Sequence, residues 1–179
     1  MKKYNRKEAV KYAFKWAFKR NPKYYNFDNV GGDCTSFVSQ CIYAGCKVMN
    51  YNKNNGWYYN NGNDKSPSWS GVEFLYKFLV TNKGKGPVGE EVVIKDLEIG
   101  DIVQLSFDGI KYGHSLIIVK INGTKTLDNI LIASHTDDSF ERTVSSYNFT
   151  KVRFIKITGV NWNVVETKIK TWYNYVKLL

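Results

Sequence analysis

Histidine and cysteine are scarce in this sequence, with two of the first and three of the second among 179 residues. Cys34, Cys41 and Cys46 cannot all pair within one chain, which excludes a scaffold built on disulfides. On one helix Cys34 and Cys41 would stand about 10 Å apart by helical rise, too far for a bridge without distortion. Free thiols are expected, or at most one bridge involving Cys46. No C-x-x-C pair and no H-x-x-x-H spacing occurs, so no metal or other cofactor is expected. No stretch is apolar enough to span a membrane. Arg6, Lys7, Glu8 and Lys11 interrupt the apolar core that a signal peptide would need. The chain thus reads as cytoplasmic as written, or as a domain of an exported protein whose signal lies elsewhere. Internal repeats and low-complexity linkers are also missing, and the length suits one domain over residues 1–179.

What the chain does have is positive charge and aromatic side chains. The formal net charge is +10, and aromatics make up 16% of the residues. Such a charge favours anionic partners. The lysines spread over many segments and no nucleic-acid motif accompanies them, so nucleic-acid binding is not expected. Nothing in the sequence calls for an oligomer, and a monomer is expected.

Helices come first. Ala9, Val10, Ala13, Phe14, Ala17 and Phe18 recur at helical spacing from Arg6 to Arg20, before Pro22. Lys7, Lys11, Lys15 and Lys19 ride the same helix as a solvated ridge. Residues 34–44 read as a second helix with Cys34, Phe37, Val38, Cys41 and Ile42 as its apolar stripe and Gly45 as its stop. The Asn-, Gly- and Tyr-rich stretch that follows reads as a long surface loop. Ser70 and Glu73 make a capping-box pattern ahead of a third helix. After the glycines of "KGKGPVGE", the runs "EVVIK", "DIVQLSF", "HSLIIVKI", "NILIAS" and "VRFIKIT" read as strands. This order predicts an α+β fold with an antiparallel sheet in its second half. The tail through Val165, Ile169, Trp172 and Val176 has the spacing of a last helix.

The chemistry centres on "GGDCTSFVSQ". Cys34 opens a helix, where unpaired N–H groups and a partial positive charge favour a thiolate. Gly31 and Gly32 permit a tight turn and leave room beside the sulfur. Cys34 also heads its helix's apolar stripe, so burial as a core residue is the competing reading. The histidines decide between them. His114 begins one strand and His135 ends the next, with the turn signal Asn122-Gly123 between, so pairing about the midpoint sets the two roughly opposite. One imidazole would take the thiol proton and return it to a leaving amine, and a second polar group would hold the first ring in its working tautomer. Asp137 and Asp138 stand close enough to His135 to fill that second place instead. Asp33 is a candidate for binding a substrate amine or for capping the helix. Trp57, Tyr58 and Tyr59 are candidates for lining a cleft, and Trp69 reads as a packing residue.

"GGDCTSFVSQCIYAG", "SWSGVEFLYKFL", "LEIGDIVQL", "GHSLIIV" and "ASHTDD" together resemble the putative amidase domain family, a branch of the papain-like group that includes the NlpC/P60 and CHAP cell-wall hydrolases. The resemblance runs over about residues 5–158, leaving 159–179 as a C-terminal extension. It implies a papain-like fold with Cys34 as nucleophile, His114 as general base and His135 in the third place. It implies cleavage of amide bonds, with peptidoglycan stem peptides as the usual substrate and anionic wall polymers as possible partners. A papain-type oxyanion glutamine would stand at position 28, which is Asp28 here. The Cys34 backbone N–H is one expected donor, with Asn26, Asn29 or a tyrosine of "YYN" as candidates for the second. The alternative is a non-catalytic module of the same fold that binds wall or peptide.

Overall fold

The computed structural model describes residues 1–162; the helix expected from Val165 to Val176 lies outside them. The fold is α+β, as the order of periodicities predicts. Helices α1 (Arg6–Trp16), α2 (Cys34–Cys46), α3 (Pro67–Ser70) and α4 (Val72–Thr81) precede strands β1 (Gly86–Val92), β2 (Ile102–Ser106), β3 (His114–Ile121), β4 (Ile130–Ser134), β5 (Ser139–Thr143) and β6 (Lys151–Asn161). All six strands form one antiparallel sheet in the order β1-β6-β2-β3-β4-β5. Among the described residues, no helix is long and apolar enough to cross a membrane.

The sheet has two covered faces. Ile102, Ile117, Val119, Ala133, Ile155 and Ile157 pack with the helices, while Val103, Leu105, Leu116, Ile118, Ile130 and Ile132 pack with Leu97, Val144 and Tyr147 on the other side. This alternation along each strand is the period-2 pattern of a sheet buried on both faces. Helix α2 is the central helical element, with nearly every side chain buried. Its neighbour α1 buries the small residues Ala9 and Ala13, with Ala17 just past its end, which lets the two helices lie close, and Val10, Tyr12 and Trp16 pack half-buried against the core; Phe14 and Phe18 are exposed, contrary to the expected stripe. Arg6 anchors the start of α1 to the sheet through the buried Asp101 (2.5 Å) and the carbonyls of Ile99 and Ile157.

Several local expectations are corrected. Gly45 is not the stop of α2: the helix runs to Cys46 and ends on Lys47 in the left-handed region, φ 59°. Gly45 serves close approach instead, since a Cβ there would lie 2.3 Å from the Tyr4 ring. The Ser70–Glu73 pair forms no capping box. Ser70 ends α3 and Gly71 precedes α4, while the Glu73 carboxylate bonds Arg153 and the Tyr112 N–H. The supposed loop between α2 and α3 is folded back into the molecule by bridges Asn50↔Trp57 and Tyr59↔Lys65. Strand β5 was not marked by any apolar run, because its outward positions carry Glu141 and Arg142.

Candidate active site

Cys34 opens α2 as expected, and the turn before it is built by glycine. Gly31 and Gly32 have φ 83° and 96°, values that side chains rarely adopt. A Cβ at Gly31 would meet nothing within 4 Å, so space is open there, whereas Gly32 is covered by Thr136. The Cys34 backbone N–H has no acceptor among the described residues, as an N-terminal helical donor should. Asp28 is held by Arg20 through two hydrogen bonds (3.0 and 2.8 Å), which lower its pKa.

The sulfur lies against β3. The backbone N–H of Ser115 and the Thr35 hydroxyl (3.7 Å) both favour its anion, but burial outweighs them and raises the thiol pKa. At rest Cys34 is therefore a thiol. A helix N-terminus alone does not ionise a sulfur that is 6% exposed.

His114 is the residue next to Ser115, whose N–H reaches the sulfur, so the two candidates share a strand end, but their side chains come from opposite faces of the sheet. Alternation places it with Leu116 and Ile118, and its ring lies 5.7 Å from Tyr147 and 6.3 Å from Phe107, which is half exposed. Neither ring nitrogen has a hydrogen-bond partner among the described residues, and neither is cut off from solvent. No hydrogen bond joins it to Cys34. Burial pushes the His114 pKa down to about 4, Arg142 adds to this, and Asp137 opposes it. A neutral, unbonded imidazole is a base with a free lone pair.

The histidine is neutral in the fold yet titrates near its ordinary value of 6.5 when unfolded. Below that value the unfolded chain binds the proton that the folded chain refuses. His114 should thus cost stability as pH falls from 6.5 toward 4, up to roughly 3 kcal/mol. Urea unfolding at pH 7 and pH 4.5 should show the loss in the natural protein and a clearly smaller one in His114→Gln. Equal losses would show that the imidazole does not carry this pH dependence.

His135 does not face His114. The hairpin closes Asn122 on Asn129 (2.9 Å), a register that would set His114 against Asp137. A bulge at Val119 takes back one residue. Continued from Ile117↔Ala133, the pairing brings Ser115 opposite His135 and His114 opposite Thr136. An odd offset sends the two histidines to opposite faces. His135 is buried with its ring stacked on Phe37 at 3.9 Å. Its Nε2 donates to the Trp16 carbonyl (2.8 Å) and its Nδ1 meets the Asp33 carboxylate (2.6 Å). A carbonyl only accepts, so Nε2 carries a hydrogen; the pair holds one further proton between Nδ1 and the carboxylate. His135 thereby ties the end of α1 to the start of α2.

Asp33 is consequently neither a side-chain cap nor a contact open to substrate. It is 1% exposed and also accepts from the Phe27 N–H (3.3 Å). Trp57 and Tyr59, expected in a cleft, belong to the core. The Trp57 indole donates to Ser39 (3.0 Å), and both rings pack on Trp69. Tyr58 is half-buried and stacks on exposed Tyr51. Asp138 is bound by Arg20, and Asp137 by Arg142. All three cysteines are free and buried.

Sequence reasoning passed over the polar residues beneath the sulfur, namely Thr35, Gln104, Ser115 and Arg153. All four are buried. A glutamine and an arginine inside otherwise apolar strands were the available signal, because such residues are buried only when bonded. A concavity of about 1130 Å³ lies at the other end of α2. It is about 20 Å from Cys34 by the rise of a 13-residue helix. Lys47, Lys77, Lys83 and Lys85 line it, with no acidic side chain.

A model of the family described as "Putative amidase domain" matches residues 3–158. The uncharacterized protein YhbB of Bacillus subtilis (strain 168) is 33% identical over 130 residues, covering 70% of this chain. The chain spans about 40% of that relative's length. No solved structure matches. With the helix-opening cysteine and the Gly-His-Ser strand inside the matched segment, the chain belongs to the putative amidase domain family.

Proposed function

We propose that the protein is a cysteine-dependent amide hydrolase on a papain-like fold, acting on peptide-type amides such as the stem peptides of peptidoglycan. The observation that carries this reading is that the Cys34 sulfur lies on the N–H of Ser115, one residue along β3 from His114, whose ring is neutral and has no hydrogen-bond partner among the described residues. As the sulfur attacks the amide carbon, His114 takes the thiol proton. The C–N bond then breaks, and the same ring returns the proton to the departing amine. Water releases the acyl group from sulfur in a second step. The Cys34 N–H is an oxyanion donor in this scheme. Asp137, whose charge acts on His114, is the orienting carboxylate we favour over His135, whose nitrogens are both engaged.

Incubation with purified peptidoglycan and short stem peptides, with products identified by mass spectrometry, tests the reading. A defined peptide cleavage is expected; intact substrates at every pH from 5 to 9 would overturn it. A second reading, a binding module that does not turn over, draws on the raised thiol pKa and the missing Cys34–His114 hydrogen bond. It predicts retention of wall fragments without cleavage.

The lysine groove fits the expected contact with anionic polymer, being cationic and remote from the sulfur. Lys77→Glu with Lys85→Glu should weaken retention on anionic wall fragments roughly tenfold at low salt and leave hydrolysis of short peptides unchanged. An equal loss from Lys7→Glu with Lys11→Glu on α1 would show that net charge, not this groove, is responsible.

A further inference from the structure

The polar residues beneath Cys34 form a line of hydrogen bonds whose direction can be read off one member at a time. Arg153 has only donors. Its Nε donates to Gln104 Oε1 (2.7 Å), which fixes the amide so that Nε2 points the other way. That Nε2 donates to the Val72 carbonyl (3.0 Å) and to Ser115 Oγ (3.1 Å). Ser115 is fully buried, and its one remaining neighbour is Thr35 Oγ1 (3.0 Å), so the serine proton goes there. Thr35 then accepts from Ser115 and has its own proton for the sulfur at 3.7 Å. The far end is equally fixed. Glu73 binds Arg153 Nη2 (2.9 Å), and the guanidinium lies between the rings of Tyr76 and Tyr112 (3.8 and 3.9 Å).

We propose that Arg153, Gln104, Ser115 and Thr35 are positioning residues that aim a one-way line of donors at Cys34, holding the sulfur anion as it forms. The inference rests on Cys34 being the nucleophile but not on any particular substrate. A hydroxyl pair alone could turn to accept from a thiol as easily as to donate; the arginine removes that freedom, and no hydroxyl has to reorient when negative charge arrives on sulfur. The charged and titratable groups around the sulfur enter as follows. Asp33, on its own helix, raises the thiol pKa. Asp33 is itself engaged by His135 and Arg20. His114, on β3, is uncharged above about 4.

The test is the pH dependence of Cys34 alkylation by iodoacetamide, located by mass spectrometry, which needs no turnover and so fails separately from the hydrolase reading. Thr35→Val should displace the profile about one pH unit upward and slow alkylation about tenfold at any pH below the midpoint. Thr35→Ser, which keeps the hydroxyl, should follow the natural protein. Gln104→Glu keeps the shape but replaces the amide donor by an acceptor, and should move the profile the same way as Thr35→Val. Urea unfolding identifies any variant that has lost its fold. Folded Thr35→Val with an unshifted profile would overturn the proposal, as would a folded Gln104→Glu that matches the natural protein.

Discussion

Cys34→Ala is expected to reduce amide hydrolysis by a factor on the order of 10⁴ or more while the variant folds normally. Cys34 is the one thiol at this strand end, the Thr35 and Ser115 hydroxyls beside it being tied into hydrogen bonds, and His114 is left without a thiol to deprotonate. Cys34 is small, and β3 and Thr35 close around it. Its loss should therefore cost only about 1 kcal/mol of stability. Initial rates on a stem peptide, paired with urea unfolding, check both halves. Hydrolysis that survives in the alanine variant would mean that the nucleophile lies elsewhere. His114→Ala should lose activity on a similar scale, and a large loss in one variant alone would separate the two roles.

Asp33→Ala should destabilise the fold by about 3–5 kcal/mol, or about 10 °C in melting temperature for a chain of this length. Its carboxylate accepts from Phe27, shares a proton with His135 and lies 3.6 Å from Arg20. Alanine would leave the Phe27 N–H and His135 Nδ1 without a partner at a buried site, while Arg20 keeps Asp28 and Asp138. Asp33→Asn still accepts from Phe27 and should lose less. A melting temperature within about 2 °C of the natural protein for the alanine variant would show that this cluster does not hold the fold together. A cost confined to activity would return Asp33 to the role of a substrate contact.

The sequence made the elements legible where a single period dominated. Strands β3 and β4 and the start of α2 lie where "HSLIIVKI", "NILIAS" and Cys34 place them. It failed where the answer depended on register or on tertiary packing. Nothing in the residues from His114 to His135 announces that the turn closes at Asn122 and Asn129 or that Val119 is the bulge, and these two shifts decide which face each histidine takes. Trp57 and Tyr59 sit in a stretch of asparagines and glycines that reads as loop, yet packing on the rings of Tyr24 and Trp69 folds it inward. That Cys34 opens α2 and His114 opens β3 was readable from local context alone. The role of Asp33 was not, because its partners come from Phe27, Arg20 and His135, the last more than a hundred positions away.

The outermost ribbon, β5, has a consequence for how the molecule behaves in crowded solution. It is five residues long, and its pairing with β4 is interrupted where Glu141 takes φ 55°. A straight row of amides would invite a stray chain to zip onto it; a kinked, charged border refuses that docking. Smoothing the kink, for instance by deleting Glu141, would present an uninterrupted rim and favour fibril-like association.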